Sequence, residues 1–186
     1  MTHKTENHAE EQAAAQYSSI VRMLEAVNCD YDRLEELRSE REELAETLEE
    51  FEAAESDGDE ERRAAFEARE ALTNWDEENA EELNTLEGEA GDCKDEDEAR
   101  ETIQQDPLEV QVRSDWESPG APLEAVEFMI LLCTGGPAVR IRGELNRGEP
   151  CRAWLEYQDW GTPWTQWFGA SSDILCEYAS NFFFGE

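Results

Sequence analysis

Residues 127–160, EFMILLCTGGPAVRIRGELNRGEPCRAWLEYQDW, decide the fold, because apolar runs, turn residues and two-residue alternation coincide there. In the middle of the stretch Val139, Ile141 and Leu145 share one parity with Gly143, while Arg140, Arg142 and Glu144 take the other. This is the pattern of a half-buried strand. It repeats at once: Cys151, Ala153, Leu155 and Tyr157 point one way, and Arg152, Trp154, Glu156, Gln158 and Trp160 the other. The unbroken apolar run at 128–133 suits a central strand. Thr134-Gly135-Gly136-Pro137 and Asn146-Arg147-Gly148-Glu149-Pro150 supply the two turns.

Upstream, Leu108, Val110 and Val112 alternate with Glu109, Gln111 and Arg113, which predicts a first strand, and residues 116–122 read as a loop. Downstream, residues 161–168 are aromatic but broken by Pro163, which predicts a packed loop. Ser171 or Ser172 then caps a last helix whose stripe, Ile174, Leu175, Tyr178 and Phe182, covers one face of the sheet. The expected core is Phe128, Ile130, Leu132, Val139, Ile141, Leu155, Leu175 and Tyr178. Trp164, Trp167 and Phe168 are expected against the last helix, and Trp154 and Trp160 on the polar outer face.

The first half of the chain is a different material. Residues 1–12 are polar and read as a frayed start that carries both histidines, His3 and His8. Tyr17, Ile20, Val21, Leu24 and Val27 form one helical stripe; Leu34, Leu37, Leu44, Leu48 and Phe51 form a heptad track interrupted by Arg41. Ala65, Ala68, Leu72, Trp75, Leu83 and Leu86 continue a weaker stripe beyond the SDGD break at 56–59. The predicted fold class is α+β: an acidic N-terminal helical hairpin with its tip near Gly58, plus a four-stranded, mainly antiparallel sheet covered by a C-terminal helix. The expected boundaries are 1–12 disordered, 13–106 acidic coiled-coil-like arm and 107–186 α+β domain.

Charge narrows the function. The 186 residues carry 48 acids against 15 lysines and arginines, a net charge of −33, of which −26 lies before Pro107. Such a chain repels nucleic acid and anionic membrane, so neither is an expected partner, and the favourable surface is a basic protein. The five cysteines are dispersed, with no CxxC, and read as reduced thiols. The opening lacks the apolar core of a signal peptide and no run approaches a membrane span, which predicts a cytoplasmic protein. With both histidines in the frayed start, nucleophile pairs and histidine metal sites are not expected. The acidic clusters at 57–61 and 92–98 do not fit calcium-loop spacing, and Gly135-Gly136 lacks the ending of a phosphate loop. Neither an enzyme nor a cofactor is predicted.

What remains is the arm. Residues 31–55 span about 37 Å as a helix and hold 11 carboxylates, one per ~3.4 Å, close to the phosphate spacing along a DNA strand. The candidate partner-binding set is Asp32, Glu35, Glu36, Glu42, Glu43, Glu46, Glu49 and Glu50, with Trp154 and Trp160 as a second contact. A solvated coiled coil that self-assembles or acts as an adaptor, with a homodimer through the arm, and a salt-adapted surface are the alternatives.

The stretches CTGGPAVRIRGEL, WLEYQDWGTPWT and YASNFFFGE, with DYDRLEELR from Asp30 as a weaker match, resemble a group of small acidic proteins of bacterial phages, plasmids and integrative elements. The resemblance covers the chain beyond Pro107 and carries over no functional residue. It implies a context in which acidic proteins block host restriction or CRISPR nucleases by occupying their DNA-binding surfaces.

Overall fold

The computed structural model describes residues 8–53 and 58–185. The protein is α+β, with helices α1 (His8–Val27), α2 (Tyr31–Ala53), α3 (Asp59–Ala90), α4 (Glu96–Gln105) and α5 (Ser172–Ala179). The strands are β1 (Glu109–Ser114), β2 (Ala125–Cys133), β3 (Ala138–Asn146), β4 (Glu149–Gln158) and β5 (Thr165–Trp167). The chain divides into two compact units: one joins the segment up to Val27 to everything from Asp97 onward, and the other is Asn28–Glu96. Among the described residues no helix is long and apolar enough to cross a membrane.

In the first unit the five strands pair antiparallel in chain order, so each finds its neighbour through the next turn. Registers such as Ile130↔Ile141 and Ile141↔Leu155 put one parity of every central strand on the same face. All eight expected core residues lie in one buried cluster on that face. Phe128 faces Gly143 across the β2–β3 ladder, and a Cβ at Gly143 would sit 2.3 Å from the Phe128 ring and 2.5 Å from the Arg152 carbonyl oxygen. Glycine is therefore what lets the ring lie flat on β3. Phe184 then stacks on Phe128, ring centroids 4.8 Å apart. The buried Tyr178 hydroxyl donates to Asp106 Oδ2 at 2.6 Å, which satisfies the one polar atom its ring carries into the core.

The second unit is α2 laid antiparallel to α3. Cross-helix pairs Arg33–Glu82, Arg41–Asp76 and Arg69–Glu52 run in opposite directions along the two helices. Their contact is a small cluster of Cys29, Leu34, Leu37, Leu83, Leu86 and Ala90, flanked by Tyr31 and Trp75. Asp30 caps α2, its Oδ1 accepting the Arg33 amide at 3.0 Å. Gly91, at φ 57°, turns the chain out of α3 while its N–H reaches the Glu87 carbonyl.

Four expectations need correction. Residues 8–12, with His8, are helical, because Ala9 and Ala13 are buried and anchor the first turns of α1. The helix of Tyr17, Ile20 and Leu24 is no part of the arm: its stripe is wide and apolar enough to cover β3 and β4 beside α5, and Ile103 of α4 joins the same core. The boundaries accordingly fall at Val27/Asn28 and Glu96/Asp97 rather than at residues 13 and 107. Residues 165–167, expected as loop, form a fifth strand on β4, since Pro163 lies before the paired residues and removes no ladder donor. The expected hairpin tip falls partly on residues 54–57, outside the described residues.

Candidate functional site: an outward acidic helix face

The arm's charge is sorted by direction. At about 100° per residue Asp32, Glu35, Glu36, Glu42, Glu43, Glu46, Glu49 and Glu50 occupy a single arc of about 140° on α2, opposite Leu34, Leu37, Leu44 and Leu48. All eight are exposed. They extend over about 27 Å of axis at 1.5 Å per residue. The other acids of the expected stretch behave differently. Glu40 accepts the Trp75 indole N–H at 3.0 Å, Glu52 pairs with Arg69, and Glu55 lies outside the described residues.

The arginines complete the sorting. Arg33, Arg38, Arg41 and Arg69 all pair between α2 and α3, with Glu82, Glu87, Asp76 and Glu52 respectively. Arg33 holds Glu82 through two nitrogens, at 3.0 and 2.9 Å, and Glu36 through a third bond at 2.7 Å. The hydrogen bonds Arg33 donates to Glu82 and then to Glu36 raise its pKa, and the same contact holds the Glu82 carboxyl below its ordinary range. Of the eight outward acids only Glu36 shares a cation; among the described residues no ion pair engages the other seven. The unit holds 28 acids against 7 lysines and arginines, a net of −21, so most of its acids must go without a cation, and on α2 seven of these are gathered on one arc.

The two tryptophans are not brought together. Trp154 lies on the outer sheet face inside a polar lattice: its indole N–H donates to Glu156 at 2.9 Å, and the Arg142 and Arg152 guanidinium groups lie 5.7 and 5.8 Å from its ring centroid. Arg142 and Arg113 both hold Glu127, and Arg140 holds Glu156 while stacking 4.0 Å over Trp164. Every aromatic here is already occupied by a cation or a carboxylate. Trp160 follows β4 in a turn, where strand parity no longer applies, and its ring lies against the β2–β3 turn with the indole N–H on the Gly135 carbonyl at 3.1 Å. A Cβ at Gly136 would stand 1.7 Å from that indole nitrogen. Trp160 is thus 78 % exposed and yet clamped.

Of the remaining aromatics, two depart from expectation. Trp167 packs on the core with Tyr17, centroids 5.6 Å apart, but Trp164 is on the outer face and Phe168 is exposed. The Arg140–Trp164 contact had no signal in local alternation, since the loop that carries Trp164 folds back over β3. Burial raises the thiol pKa values of Cys29, Cys133 and Cys176, which suits packing rather than nucleophilic chemistry. Among the described residues no group of three or more His, Cys, Asp or Glu is arranged to hold a metal ion. Comparison with protein families, curated proteins and solved structures finds no match for this chain.

Proposed function

We propose that the protein is a non-enzymatic inhibitor carried by a mobile genetic element, working in the cytoplasm. Its outward face of α2 presents carboxylates in place of nucleic-acid phosphates and occupies the basic groove of a host defence protein of the restriction or CRISPR type. The observation that carries this reading is the sorting of charge: eight acids turn outward on one helix face while the cross-helix arginines turn inward. A groove built to neutralise phosphates meets the same sign of charge at a similar pitch, and α3 braces α2 along that row through the Arg33, Arg41 and Glu52 ion pairs.

Capture of partners from host lysate at low and high salt tests it. A nucleic-acid-binding protein should be retained at low salt and lost at high salt, with affinity falling on the order of 100-fold as steering is screened. Reversing Glu42, Glu43, Glu46 and Glu50 to Lys should abolish capture, whereas reversing Glu70, Glu77, Glu78 and Glu81 on α3 makes the same change of net charge and should weaken it far less. A partner that stays bound in high salt and tolerates the α2 reversals contradicts the reading.

A coiled-coil adaptor or arm-mediated homodimer is the second reading, favoured by Leu44 and Leu48, which are only half-buried, and by the exposed Phe51. Leu34 and Leu37 are already spent on α3. Under this reading Leu44→Asp and Leu48→Asp lower the sedimenting mass and surface glutamates matter little; unchanged mass in both variants counts against it.

A further inference from the structure

We propose that β1 is a self-pairing edge through which two copies of the chain join their sheets around a two-fold axis at Gln111. β1 ends the sheet, bonded on one side to β2 and, among the described residues, to no other strand. Its residues are exposed along its length up to Ser114. Val110 and Val112 have the parity of the buried Ile130 and Phe128 on the next strand, yet they are 38 % and 50 % exposed, and Leu108 just before them is 60 % exposed. The sheet therefore presents an apolar border together with the outward backbone groups of an edge strand, the combination that invites strand addition.

The occupant is written in the strand itself. Read antiparallel about Gln111, the segment Glu109-Val110-Gln111-Val112-Arg113 complements its own copy: Glu109 faces Arg113 of the second copy, Arg113 faces Glu109, and the valines meet on the opposite face. A parallel pairing in the same register sets Glu109 against Glu109 and Arg113 against Arg113. A one-residue slip turns the valines against charged neighbours. The Arg113 side chain is 67 % exposed despite its bond to Glu127, so it has the freedom to reach across. Pro107, which lacks an N–H, and the register shift between Arg113 and Ser114 bound the pairing segment at either end. Charge on an edge strand normally deters pairing; here the two charges have opposite sign, and the register centred on Gln111 is the one that sets both Glu109–Arg113 pairs opposite each other.

Sedimentation of the full chain over a range of concentrations and salt tests this. The expected result is a monomer–dimer equilibrium that strengthens as salt rises, because two copies of net charge −33 repel at long range, opposite to the salt response expected for the acidic face and its partner. Glu109→Arg alone and Arg113→Glu alone each set like charges opposite one another at two places and should weaken the dimer on the order of ten-fold. The double variant restores complementarity and should recover most of that loss, with circular dichroism confirming the fold of all three. A chain that stays monomeric throughout overturns the proposal. So does a dimer that responds to Leu44→Asp and not to the exchanges at 109 and 113.

Discussion

The sheet unit and the acidic arm solve the problem of holding a surface in place by opposite means. Among the described residues the first buries sixteen side chains in one cluster, from Ala13 on α1 to Phe184 near the end of the chain, and the second buries six, five on its two long helices and Cys29 just before them. A core of that size fixes every strand by packing, so the outer sheet face can hold arginines and tryptophans in bonded positions. The arm has no such reserve. It keeps its two helices together with a short leucine contact and a row of arginines, and it leaves the rest of its surface to repel itself. Geometry that costs stability in this way is informative, because packing alone gives no reason for seven unpaired carboxylates to share one face.

Several substitutions break or sharpen that contrast. Phe128→Ala removes the ring that joins β2, Gly143 and Phe184 and should cost about 4 kcal/mol, abolishing the near-ultraviolet signal of the tryptophans in the sheet unit. Gly143→Ala, one methyl rather than one ring, should cost about 2–3 kcal/mol by overpacking, since both Phe128 and the Arg152 carbonyl stand in the way. In the arm, Leu37→Ala should cost about 2–3 kcal/mol and reduce far-ultraviolet helicity and the Trp75 emission shift while the sheet unit keeps its own transition. A single shared transition would contradict the division into two units.

Smaller effects follow from single polar contacts. Tyr178→Phe removes the hydroxyl bonded to Asp106 and should cost about 1.5–2 kcal/mol at neutral pH. Burial first, and the Asp106 hydrogen bond second, raise the Tyr178 pKa above its ordinary 10.0, so its contribution is fully present below pH 10 and is lost as pH rises beyond. Denaturation midpoints of wild type and Tyr178→Phe should therefore converge in alkali. The smallest change is expected for Arg33→Gln. Because Arg33 holds the Glu82 pKa low, what the pair contributes is present above the ordinary carboxylate range and lost as pH falls below that range through the lowered Glu82 value, and salt should erase it at neutral pH.

The legible parts of the sequence were those in which one residue's neighbours in the chain are also its neighbours in space. Alternation at 128–157 placed three strands and the shared core face because antiparallel meanders keep pairing local. The outward acids of α2 were legible for the same reason, since helical spacing alone sets their direction. What escaped was long-range. Nothing near Tyr17 says that its helix will lie on β3 and β4, with its hydroxyl accepting the Ser171 amide, and only the tertiary fold separates it from the arm that follows. Trp160 escaped because the strand ends two residues before it, and Trp164 because a loop carries it back over Arg140. The residue types at the site were visible from the start, whereas the inward turn of Glu40 and Glu52 depended on where Trp75 and Arg69 lie on the second helix.

Competition tests the central claim most directly. The captured partner, bound to labelled duplex DNA or to its own guide or substrate RNA, is titrated with wild-type protein and with the variant carrying Lys at positions 42, 43, 46 and 50. If the outward face of α2 occupies the partner's nucleic-acid groove, wild type displaces the nucleic acid stoichiometrically and the variant does not. A stable ternary complex of partner, nucleic acid and wild-type protein would contradict the account.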